Sequence, residues 1–68
     1  MKALIKRENG RTDWMASLKQ MTLIGDVLNV GNLTKMGVHK QLAVYCEDLN
    51  MRFKLIPADG LKLLIRIK

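Results

Sequence analysis

The chain reads as a small two-layer α+β domain: one N-terminal strand, two or three helices and a C-terminal β-hairpin, with the helices covering one face of the sheet. Three observations predict this. Residues 51–68 alternate twice between apolar and mostly basic positions, in Met51-Arg52-Phe53-Lys54-Leu55-Ile56-Pro57 and again in Leu61-Lys62-Leu63-Leu64-Ile65-Arg66-Ile67-Lys68, the period of a half-buried strand. Val38, Leu42, Tyr45 and Leu49 fall at helical spacings and are followed by Asn50, a residue suited to a left-handed helix end. A length of 68 residues with 49% hydrophobic and 26% charged side chains fits one folded domain near the lower size limit for a self-sufficient core.

The elements follow in chain order. Lys2, Leu4 and Lys6 alternate with Ala3 and Ile5, which predicts a first strand over 2–7. Asn9-Gly10 ends it, and Thr12 or Asp13 is placed to cap a helix that starts at about residue 13. Trp14, Leu18, Met21 and Leu28 form its apolar stripe, and Gly25 either terminates it or is tolerated inside it. If it terminates there, Asp26 caps a second short helix. Residues 26–37 are rich in Asn and Gly yet carry Val27, Leu28, Val30, Leu33 and Met36, so a short helix or a tight apolar connection packed on the core is expected. A helix over 38–49 then runs into the hairpin with almost no linker.

Within the hairpin, Pro57-Ala58-Asp59-Gly60 suits a three-residue loop with Gly60 in the left-handed conformation. That loop would set Pro57 opposite Leu61, Leu55 opposite Leu63, Phe53 opposite Ile65 and Met51 opposite Ile67, all apolar pairs. A two-residue Asp59-Gly60 loop shifts the register by one and sets Phe53 against Arg66, so sidedness argues against it. The inner face is then expected to hold Ala3, Ile5, Met51, Phe53, Leu55, Leu61, Leu63, Ile65 and Ile67. The outer face gathers Lys2, Lys6, Arg52, Lys54, Lys62, Arg66 and Lys68 around Leu4, Ile56 and Leu64.

That predicted outer face carries the functional expectation. It holds seven of the twelve Lys and Arg of a chain with net charge +6 and no acidic partner, and it places Arg52 against Arg66. A solubilising surface normally mixes signs, and an anion between the two arginines would relieve their repulsion. Nucleic-acid phosphates are the expected anion, DNA in a regulatory role ahead of RNA, bound through Lys2, Lys6, Arg52, Lys54, Lys62, Arg66 and Lys68. Base stacking is not expected, because Phe53 is assigned to the core and Trp14 and Tyr45 to helices.

Residues 32–36, Gly37 and 38–49 also suggest a helix-turn-helix, followed by a hairpin and preceded by a strand. This element order resembles a winged-helix domain and covers the whole chain, by topology alone. The resemblance implies that His39, Lys40 and Gln41 meet base edges in a major groove. The pattern departs from that family at Leu33, where a small residue is usual, and at the hairpin tip, which bears Asp59 and no basic residue.

Other classes are disfavoured. His39 and Cys46, the only His and Cys, make no metal-ligand pair, no triad or phosphate-cradling glycine motif is present, and neither an enzyme nor a cofactor is expected. No apolar run could span a bilayer and no apolar segment follows the first basic residues, so no membrane or secretory role is expected. One cysteine excludes an internal disulfide and suits the cytoplasm. The alternative function is a module docking an acidic protein on the same basic face, with Leu4, Ile56 and Leu64 as apolar anchors. A homodimer is compatible with the short length; seven like charges disfavour the sheet face, though not a helix face, as its surface.

Overall fold

The computed structural model describes all 68 residues. Its elements are β1 (Lys2–Ala3), α1 (Trp14–Lys19), β2 (Val27–Asn29), α2 (Lys35–Leu49), β3 (Phe53–Ala58) and β4 (Leu61–Arg66). The strands form one mixed sheet in the order β1-β2-β4-β3. β1 and β2 run parallel, while β4 is antiparallel to both of its neighbours. The α+β class and the C-terminal hairpin are as the sequence predicts, and an N-terminal strand forms where expected but over Lys2–Ala3 alone rather than 2–7.

Local chemistry sets the element ends. Asp13, and not Thr12, caps α1, its carboxylate accepting from the Ala16 amide at 3.0 Å. α1 is short and ends at Lys19. The helix does not reach Gly25, which has φ +96° and donates to the Arg66 carbonyl at 2.8 Å. Asp26 does not start a helix either: its carboxylate accepts from the Leu23 amide, and β2 follows at once. Thr34 caps α2 by accepting from the Gly37 amide at 3.0 Å, and Asn50 ends it with φ 54° and ψ 42°. Gly37 therefore lies inside the first turn of one fifteen-residue helix. The expected helix-turn-helix is not formed, because Thr34 satisfies the very amide at which a turn would have begun.

The hairpin register corrects the sequence expectation. Phe53 faces Arg66, Leu55 faces Leu64, Pro57 faces Lys62 and Ala58 faces Leu61, which is the two-residue loop. Asp59 has φ 44° and Gly60 φ 78°, the pair of positive values that lets a tight turn follow the right-handed twist of its strands. Ala58 and Leu61 close the turn as a hydrogen-bonded pair, so Pro57 and Lys62 form the next, non-bonded pair. Pro57 therefore needs no amide hydrogen toward β4, and it sits on an edge strand where a missing donor costs least.

This shift turns β4 over. Leu28, Leu64 and Leu55 lie in one row across three strands. Leu28 and Leu64 belong to the buried core with Trp14, Leu18, Met21, Val30, Val38 and Leu42, while Leu4, Tyr45, Leu49, Phe53 and Leu55 pack against it. Since side chains alternate along a strand, Lys62 and Arg66 share the helix-covered side with Leu64. Leu61, Leu63 and Ile65 point away from the helices, as do Val27, Asn29, Lys54, Ile56 and Ala58. Ala3 and Ile5, expected inside, are exposed, and Leu4 takes the core position.

Ser17 ties the N-terminal segment to this core. It is fully buried, accepts from the Ile5 amide at 2.8 Å and donates to the Asp13 carbonyl at 2.7 Å. The segment between β1 and α1 doubles back through a Lys6–Thr12 bridge.

Candidate nucleic-acid interface

The seven-residue basic face expected from the sequence does not assemble. Lys54 alone of the seven stands on the open sheet face within the named strands. Arg66 turns toward the helices, donating from Nη1 to the Met21 carbonyl at 2.8 Å and from Nε to the Lys68 carbonyl at 3.1 Å. Its charge stitches the start of the segment after α1 to β4, and Phe53 rather than Arg52 lies opposite it. Arg52 and Lys68 line a cleft at the C-terminal end of α2 together with Glu47 and Cys46, so that corner carries both signs. Lys6 donates from Nζ to the Thr12 hydroxyl at 2.9 Å, and Lys2 is exposed on β1. The outward apolar anchors fail in two of three cases: Leu64 is fully buried and Leu4 packs on the core, leaving Ile56 on the open face.

A different basic group comes together at the start of α2. Lys35, Met36, His39 and Lys40 surround a shallow open depression. All four are exposed, because the buried stripe of α2 runs through Val38 and Leu42 on the other side. Gln41 is half-buried and turns away from this group. Lys35 also lines a small groove with Leu55, Pro57 and Lys62, which the two-residue turn makes possible by bringing Lys62 onto the helix-covered side. Backbone bonds from the Lys62 amide to the Gly31 carbonyl and from the Val30 amide to the Lys62 carbonyl, at 2.8 and 3.1 Å, hold that strand against the loop that feeds α2.

No acidic residue lines this depression or the adjoining groove. The first turn of α2 has no acidic residue, so the partial positive charge of the helix start adds to Lys35. Asp59 on the tip is the nearest acidic residue in the hairpin sequence. Across the molecule the one ion pair joins Arg7 to Asp13 at 4.0 Å, so eleven of the twelve Lys and Arg have no carboxylate partner. Burial pushes the Cys46 thiol above its ordinary value, with Arg52 pulling the other way. No group of His, Cys, Asp and Glu could hold a metal ion, and no helix is long and apolar enough to cross a membrane.

Sequence reasoning placed His39 and Lys40 on an exposed helix surface, where they are, and missed Lys35. The signal that would have placed Lys35 on the helix is Thr34, a favoured capping residue, whose hydroxyl accepts from the Gly37 amide. No protein-family model, no curated protein and no solved structure matches the chain.

Proposed function

We propose that this chain is a small non-enzymatic protein that binds nucleic acid, DNA in preference to RNA, by holding backbone phosphates with Lys35, Lys40 and Lys62. The observation that carries the reading is the gathering of Lys35, His39 and Lys40 at the open start of α2 with Lys62 beside them. None of them has an acidic partner within ion-pair distance. Paired lysines would have little to offer a phosphate, whereas unpaired ones release condensed counterions from the duplex on binding. His39 adds a side chain of hydrogen-bonding size beside the lysines, able to reach a base edge or a phosphate.

Three lysines predict a modest, strongly salt-dependent affinity. The logarithm of the binding constant for random-sequence duplex should fall with the logarithm of salt concentration at a slope of roughly −3. Fluorescence anisotropy of a labelled duplex, titrated at several salt concentrations, reads this directly. No binding at the lowest salt, or a slope near zero, overturns the proposal.

A further inference from the structure

The open face of the sheet is the least expected surface of the molecule. It presents Leu61, which is exposed, with Val27, Ile56, Leu63 and Ile65, each half-buried, in adjoining rows across β2, β4 and β3, and none of these packs against the core. β4 thus spends Leu61, Leu63 and Ile65 on the outside and one leucine, Leu64, on the inside. A solvated sheet face normally alternates to polar residues, and a contiguous apolar patch of this kind marks a contact surface. Lys54 is the one charged residue among the strand positions that point this way.

We infer that this face seats a second copy of the chain, giving a face-to-face dimer with the helix layers outward. Charge does not oppose self-association on this face. The net charge of +6 is carried on the loops, the helix side and the strand ends, so stacking two open faces brings together apolar side chains and leaves the lysines far apart. Lys54, on the edge strand β3, can lay its methylenes along the rim and keep its ammonium in water.

Size agrees. The molecule measures 28 × 28 × 21 Å, large enough for one face to offer the ~800 Å² per partner of a standard interface. That is about a sixth of the 4758 Å² surface. Only eight apolar residues are buried in the single chain, with no disulfide and no metal cluster to supplement them. A chain this short gains the missing burial from a partner. A two-fold axis near Leu63 and Ile65 would make the patch self-complementary and would set two α2 starts on opposite surfaces of the dimer.

Sedimentation equilibrium tests this on nuclease-treated protein at high salt, from about 1 to about 200 µM, where micromolar affinities are resolved. The expected mass tends to twice the 7.8 kDa chain as concentration rises. Leu63→Lys should weaken the dimer by at least about 100-fold, since an unpaired buried charge is costly. Val44→Lys, on the exposed side of α2, should leave it unchanged. Concentration-dependent amide NMR shifts on the unaltered chain give a readout that needs no variant to fold, and they should cluster at Val27, Ile56, Leu63 and Ile65. A monomer at the highest concentration overturns the inference, as does a dimer whose shifts or variant effects fall on the helix side.

Discussion

Leu64→Ala against Ile65→Ala separates the two hairpin registers. In the two-residue register Leu64 is fully buried, flanked in its row by Leu28 and Leu55 and covered by the helix layer. Truncating it leaves a cavity that tethered helices cannot readily fill, at a cost of ~2–5 kcal/mol. A domain of 68 residues is stable by about 3–10 kcal/mol in all, so this one change removes a large share. Ile65 is half-buried on the open face, and its truncation in the dilute monomer should cost about 1 kcal/mol. Urea unfolding followed by circular dichroism at low micromolar concentration measures both. With m near ~1 kcal/mol/M for so small a chain, Leu64→Ala should lower the midpoint by roughly 2 M or more. An Ile65→Ala loss equal to or larger than that of Leu64→Ala would refute the register, because the three-residue loop buries Ile65 and exposes Leu64.

Two further outcomes follow from the packing. Ser17→Ala strips the part-buried Ile5 amide of its acceptor and should destabilise by ~1–3 kcal/mol, with the Ile5 amide showing the largest gain in hydrogen-exchange rate; unchanged exchange there would mean the hydroxyl does not hold the segment. Asn50→Gly keeps the left-handed helix end at φ 54° without its Cβ cost and should stabilise by a few tenths to ~1 kcal/mol, read as a rise in the urea midpoint; a fall would place Asn50 in some other role.

The elements were legible where local chemistry and period agreed. Asp13 before the Trp14–Leu18 stripe, and Asn50 after the Val38–Leu49 stripe, each joined a cap to a periodic run. β2 was not legible, because three residues that pair on both sides are too few to set a period, and Asn and Gly surround them. The register was lost for a different reason. Pro57-Ala58-Asp59-Gly60 is compatible with either loop, and sidedness separates the two only where an apolar face points inward and a basic one outward. Here the sheet is apolar on both faces, so sidedness does not discriminate, and the positive φ values of Asp59 and Gly60 decide. The same error built the seven-residue basic face, since a shift of one residue reverses every side chain of β4. Lys35 was missed because the apolar stripe of α2 begins at Val38, whereas the helix itself begins at its Thr34 cap.

The central claim, that Lys35 and Lys62 hold phosphates together, is tested by the salt dependence of a paired variant. Lys35→Gln with Lys62→Gln removes two of the three charges that line the start of α2 and the adjoining groove. Binding to random-sequence duplex should weaken for all sequences alike, and the slope should shrink in magnitude by about two. Arg11→Gln with Lys19→Gln, which removes the same charge from exposed positions elsewhere, should leave the slope unchanged within about 0.5. Equal losses from the two pairs would contradict the account, for they would mean that net charge alone, and not this corner of the fold, binds the nucleic acid.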